Sequence, residues 1–291
     1  MRLIDTVALV ALLAAPAASR SEPANPAPTV GDEYEISKSY VTSEQSADGS
    51  SESSGRNAIV ELVVGVRADG LELEYDLPKD TTAENRAREW QFPMRVFKPT
   101  HGPAQLLNRT DLEARVERWL AAAGWGREVC GRWAFTWTAI RIECDPDTAI
   151  KTVEALDLNV ADLRDGAPYR TTGASGSGTL RRRSGGSNGA SFTTSLEVDP
   201  DAVHRARAEE DVVVGEIMQK PVTLDAALRE RKKERISGTI SVTFDTDSTG
   251  SVWRRTTVTR QKATSAAGDV ESSTATETVE RRLIPKLPSS P

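Results

Sequence analysis

Ile236–Asp245 (ISGTISVTFD), Val252–Gln261 (VWRRTTVTRQ) and Ser272–Leu283 (SSTATETVERRL) read as three consecutive β-strands. They are rich in threonine, valine and isoleucine, whose branched Cβ suits a pleated, half-buried surface. An Asp/Ser/Gly turn joins the first two, and a longer polar loop joins the second to the third, which predicts a meander. Tyr34–Leu77 repeats the layout. Tyr34, Ile36 and Tyr40 alternate along Tyr34–Thr42, and Asn57–Val66 and Leu71–Leu77 flank Ala68-Asp69-Gly70, an Asp-Gly hairpin signal. Between them, Ser43–Arg56 is a run of serine, glycine and acidic residues without apolar periodicity, expected to be a long mobile hairpin loop. Trp90–Lys98 is a further strand, interrupted by Pro93 and therefore placed at an edge.

The middle of the chain changes period. Leu112, Val116, Trp119, Leu120 and Ala123 share one face of a helix over Asp111–Ala123. Thr110 and Glu113 form a capping box at its start, and Gly124 supplies a left-handed stop. Cys144-Asp145-Pro146-Asp147 then opens a helix to about Leu156, and Val198-Asp199-Pro200-Asp201 opens another. In each the first Asp caps, Pro occupies the first helical position, and the next Asp faces the positive helix end. A duplication and the chance recurrence of a common start signal explain the pair equally well. Thr223–Glu234 is a further helix with Thr223 as its cap. The expected fold is α+β, with antiparallel meanders at both ends and about three to four helices between. A curved sheet with helices on one face is a form this order allows.

Export is the expectation for compartment. Residues 1–19 have Arg2, an apolar stretch of twelve residues from Val7 to Ala18, and small-residue cleavage sites after Ala17 or Ser19. Twelve residues fall short of the ~20 that span a bilayer, so this is a secretory signal peptide, with a retained anchor as the alternative because Asp5 weakens the positive start. Residues 20–31 carry Pro23, Pro26 and Pro28 and read as a disordered tether. Residues 32–285 form one α+β domain, or two halves (32–165 and 190–285) joined by the Gly/Ser-rich loop 171–189, and 286–291 are a tail. No later apolar run is long enough to span a membrane. A periplasmic or secreted location follows.

In an oxidising compartment an isolated pair, Cys130 and Cys144, is expected to form a disulfide. Fourteen steps at ~3.3 Å would span about 46 Å as one strand, whereas bridged Cα atoms lie within ~7 Å. Trp133–Glu143 looks like a strand, so the chain must fold back, most simply around Cys130–Arg132 where Gly131 permits a turn.

Composition limits the chemistry. The net charge of −6 and pI of 5.3 argue against a nucleic-acid partner. Two Cys and two His leave no multi-cysteine metal framework, and no cofactor fingerprint is present. Gly185-Gly186-Ser187-Asn188-Gly189 matches G-x-S-x-G, but a triple arginine precedes it and a strand follows it, so a loop is expected there and no catalytic residue is assigned. Asp245–Gly250 resembles the start of a calcium loop, but Thr256 stands where the bidentate carboxylate belongs, which favours a polar hairpin turn. His101 and His204 are expected to be solvated. Trp133, Phe135 and Trp137 share one face of the strand reading, and with Trp119 they form either core or a face for an apolar ligand. The basic clusters Arg181–Arg183 and Arg229–Arg235 are either solvated faces or contacts for anionic lipid heads or acidic polymers.

The expected function is that of an exported, non-enzymatic protein of the cell envelope that binds a partner protein or supports an assembly. The alternatives are a periplasmic carrier of an apolar ligand such as a lipid, and a hydrolase with an unrecognised site.

Overall fold

The computed structural model describes residues 28–135, 139–160, 162–183 and 189–286. The first meander comprises β1 (Glu33–Ser46), β2 (Gly49–Arg67), β3 (Gly70–Asp76), helix α1 (Ala83–Arg88), β4 (Met94–Pro99) and β5 (Gln105–Leu106). There follow α2 (Arg109–Ala122), β6 (Trp133–Phe135), β7 (Ala139–Arg141), α3 (Pro146–Glu154), β8 (Pro168–Tyr169) and β9 (Gly178–Thr179). The second meander is β10 (Arg181–Arg183), β11 (Ser191–Glu197), helices α4 (Pro200–Ile217) and α5 (Leu224–Arg231), β12 (Arg235–Thr246), β13 (Val252–Thr264) and β14 (Val270–Leu283). The two meanders are one antiparallel sheet in the order β10-β11-β12-β13-β14-β1-β2-β3-β4-β5, and it does not close. The seam between them is β1 against β14, paired from Tyr34–Leu283 to Gln45–Ser272.

Opposed residues in antiparallel strands share a face. Phe244, Arg255, Val279, Lys38 and Asn57 form one row across five strands, and Ile36, two residues from Lys38, therefore lies on the same face. Two apolar cores occupy that face. In the first, Tyr34, Ile36, Ile59, Val63, Leu73, Met94 and Val96 pack with Leu112, Val116 and Leu120 of α2 and Ala149 and Val153 of α3. Leu112 and Val116 are fully buried, and each such side chain stabilises the fold by roughly 1.5–3 kcal/mol. In the second, Phe192, Leu196, Ile240, Val242 and Phe244 pack with Ala167, Leu180 and the half-buried Val203 of α4. The helices that join the cores thus lie on the face to which these side chains point.

Several expectations need correction. There are five α-helices among the described residues, and α1 sits inside the first meander, started by Thr82 Oγ1 accepting from the Asn85 amide at 3.2 Å. Ser43–Arg56 is not a loop. β1 and β2 continue through it to a two-residue turn, with Ser46 opposite Gly49, because solvated hydroxyl side chains do not break a ladder whose register is already set by Tyr34, Ile36 and Ile59. The strand expected from Trp90 begins only at Met94; Pro93 precedes it, and β5 pairs outside it, so β4 is not the edge. Helix α2 starts two residues before Asp111, after Asn108. Thr110 and Glu113 form no capping box: Glu113 pairs with Arg127, and Asn108 instead accepts from the Arg95 amide at 2.9 Å and donates to the Pro93 carbonyl. Gly124 does adopt the left-handed conformation, at φ +69°. Trp133–Glu143 is a hairpin of β6 and β7, with Trp133 opposite Arg141 and Phe135 opposite Ala139.

Cys130 and Cys144 form a disulfide with Cα atoms 5.6 Å apart, flanking that hairpin. The chain turns back between Phe135 and Ala139 rather than around Cys130–Arg132 as expected; Gly131, at φ +79°, extends the hairpin ladder, its amide donating to the Ile142 carbonyl at 2.7 Å. Cys144 is buried in the first core, so the bridge fastens the hairpin to it.

Candidate functional site

Beside the second core, toward the outer ends of β1 and β2, the same face turns polar. Lys38, Tyr40 and Thr42 on β1, Thr257 and Thr259 on β13, and Ala275 and Glu277 on β14 occupy its central strip by register, and none is buried. Lys38 Nζ lies 2.6 Å from Glu277 Oε2, with both side chains about a third exposed. Arg255, with Nη2 3.9 Å from Glu277 Oε1, also donates to the Asp157 and Ala155 carbonyls at 3.0 and 2.9 Å, fixing the segment after α3 against the sheet. Lys98 Nζ holds the Asp157 carboxylate at 2.7 Å. The Tyr40 ring lies over Gly55, where an added Cβ would sit 2.7 Å from Tyr40 Cε1, and its own surface is 41% exposed.

The strip is bounded on the first-core side by a buried polar cluster. Glu61 is 5% exposed and accepts from Arg281 Nη2 at 2.6 Å and Nε at 3.0 Å. The Arg281 guanidinium lies over the Tyr34 ring, 3.3 Å from its centre. Burial, and then the Glu61 charge, push the Tyr75 phenol well above its ordinary value, so it is a neutral donor beside Glu61. On the other side, Arg207 of α4 pairs with Glu271 of β14 at 2.8 Å and with Glu234 at 3.1 Å, and Arg231 of α5 pairs with Asp211 and Glu234, each at 2.6 Å. Hydrogen bonds from Arg207 hold the Glu271 carboxyl below its usual range. Burial pushes the Glu210 carboxyl up, opposed by Arg207 and Arg231. The arrangement offers paired charges, hydroxyls and one exposed aromatic ring, which is chemistry for recognising a polar surface.

The residues singled out in the sequence are scattered. Trp119 is half-buried on the first core and meets Trp125 edge-on, with ring centres 5.8 Å apart. Trp133 is half-buried and belongs to neither core. Phe135 ends β6, so the single strand assumed for the aromatic face is replaced by a hairpin, and Trp137 lies outside the described residues. Ser187 also lies outside them. His101 is exposed in a turn, but His204, expected in solvent, is 7% exposed, with Nε2 3.1 Å from the Glu234 carbonyl. Asp247 spends its carboxylate on the hairpin turn, accepting from the Thr249 and Ser251 amides at 2.9 and 3.0 Å. Arg181–Arg183 form the exposed edge strand β10, where charge discourages pairing with another chain. An open concavity of about 540 Å³ is lined by Ser43, Glu44, Ser51, Glu52, Ser273 and Thr274 among others, so its wall is polar. Lys38, Glu277, Glu61 and Arg281 were not flagged from sequence; charged residues at inward positions of otherwise apolar-alternating strands were the available signal.

No family model matches the chain, and no curated protein does. Among solved structures, one described as lipid-protein interactions in lipovitellin overlaps with a TM-score of 0.41 and 11% identity, over 90% of this chain and 26% of that one. The chain thus spans about a quarter of the lipovitellin chain. A conserved protein of unknown function with a hot dog fold from Alicyclobacillus acidocaldarius overlaps with a TM-score of 0.12 and 11% identity, over 90% of this chain and 82% of that one. Both scores are too low to define a shared fold.

Proposed function

We propose that the chain is an exported, non-enzymatic binding protein of the cell envelope, whose central polar strip receives a polar segment of a partner protein. The observation that carries this reading is the strip itself. On the face that carries both cores, half-exposed Lys38, Tyr40, Thr257 and Glu277 lie between Val242 of the second core and the polar outer end of β2. The hydroxyls of the strip, its charged pair and the exposed Tyr40 ring are groups that a polar partner segment would engage. Export is supported by the signal-like start, by the Cys130–Cys144 bridge and by the absence, among the described residues, of a helix long and apolar enough to cross a membrane.

The test is native mass spectrometry on the chain purified gently from its own compartment, repeated after organic extraction. Support is a mass lacking the first seventeen or nineteen residues, a two-hydrogen deficit for the bridge, and a protein subunit that Lys38→Glu no longer retains. An intact start on cytosolic chain overturns export. A stoichiometric extractable lipid replaces the reading with carriage of an apolar ligand.

A further inference from the structure

The opposite face of the sheet carries a different pattern at one rim. Register sets Arg235, Thr264 and Val270 in one row, Ser237, Lys262 and Ser272 in the next, and Thr239, Arg260 and Thr274 in a third. These nine positions alternate with Ile236, Ile240 and Ala263, which point to the core side, so the nine face outward. They include three cations and no acid, in a chain of net charge −6. Arg235, Arg260 and Lys262 are all exposed, and among the described residues no carboxylate pairs with them. Elsewhere on this face Arg254 is neutralised, 2.7 Å from Asp245 and 4.0 Å from Glu280, whereas Arg181 and Arg183 at its β10 edge are exposed like the rim cations. Val270, 43% exposed, and the exposed Ala266 and Ala267 of the turn before it border the patch, together with the exposed Asp269. Lys232, also exposed, precedes it by three residues.

We infer that this rim docks on a membrane surface through anionic phospholipid headgroups. Cations spaced along a pleated sheet, with hydroxyls between them and apolar residues at the border, suit a planar layer of phosphates whose interface accepts small apolar groups. Glu197 beside Thr239 and Glu52 beside Ser43 continue the third row on either side, so the cationic patch is confined to β12, β13 and β14. The inference stands independently of what the polar strip binds.

The experiment is co-sedimentation of the full chain with vesicles of one part phosphatidylglycerol to two parts phosphatidylcholine, against pure phosphatidylcholine, at low ionic strength. Each cation near an anionic surface contributes roughly a fivefold gain in partitioning, so Arg235→Gln/Arg260→Gln/Lys262→Gln should lose about 100-fold. Arg170→Gln/Arg181→Gln/Arg205→Gln removes the same charge from other exposed positions and should retain most of the binding. Far-UV circular dichroism and the mass of the disulfide confirm that both variants fold. Equal binding to the two vesicle types, equal loss in both variants, or binding to polyphosphate but not to vesicles overturns the inference.

Discussion

Arg281 and Glu61 lie 220 positions apart in the chain and 2.6 Å apart in the structure, joining β14 to β2 across the intervening β1. The pair lies at the junction of the two meanders, with Tyr34 beneath the guanidinium and Tyr75 beside the carboxylate. Removing one partner leaves the other charge buried, a situation that costs about 3–5 kcal/mol. Arg281→Ala should therefore lose about that much in urea unfolding. Glu61→Gln combined with Arg281→Met should recover a large part of it, because no uncompensated charge remains. A loss under about 1 kcal/mol in the single variant would show that the pair is solvated.

The bridge between Cys130 and Cys144 closes a short loop around the β6–β7 hairpin. Cross-linking a loop of this length stabilises by about 3 kcal/mol through the unfolded chain. Cys130→Ser/Cys144→Ser should lower stability by that order. Hydrogen exchange should show the hairpin losing protection before β13 and β14 do; uniform loss across the sheet would contradict the local role given to the bridge.

Gly238 faces Gln261 across the β12–β13 ladder, where an added Cβ would lie 2.2 Å from the Arg260 carbonyl oxygen and 2.9 Å from the Gln261 Cα. These are backbone atoms and cannot swing aside. Gly238→Ala should cost roughly 1–3 kcal/mol, as overpacking does, whereas Gly55→Ala meets only the movable end of Tyr40 and should leave the unfolding midpoint nearly unchanged. Comparable losses in the two variants would contradict this account.

Acid should loosen α4 from the sheet. The Glu271 carboxyl is held below its ordinary 4.5 by Arg207, so the pairing stabilises above that value and is lost as pH falls through the lowered one. Glu210, pushed up by burial, works in the opposite sense, since its protonation relieves a buried charge. Glu234 and Asp211, which face Arg207 and Arg231, complete the cluster. Hydrogen exchange in α4, corrected for intrinsic rates, should quicken as pH falls below 4.5 in the native chain, and Glu271→Gln should remove most of that dependence. An unchanged pH profile in the variant would assign the effect to another group.

Legibility in the sequence followed side-chain chemistry. The strands around Ile240 and Val242 were readable because branched apolar residues alternate there, and the helices of α3 and α4 because Asp145 and Asp199 cap them as expected. The far ends of β1 and β2 were not, because Ser50, Ser51 and Gly55 carry the composition of a loop while their pairing is decided by neighbours closer to the core. The central strip was hidden for a related reason: Lys38 and Glu277 are ordinary surface residues in a one-dimensional pattern, and only the β1–β14 pairing brings them together. That pairing also merges what read as two separate meanders into one sheet.

The position of β1 also bears on how the chain is made. Tyr34–Gln45 takes its second neighbour from Ser272–Leu283, so a ribosome must add more than two hundred residues before that side of β1 can be covered. Until then the centre of the finished sheet is a bare edge, open to pairing with any other chain. A chain held unfolded during passage through a membrane would meet both neighbours of β1 at once.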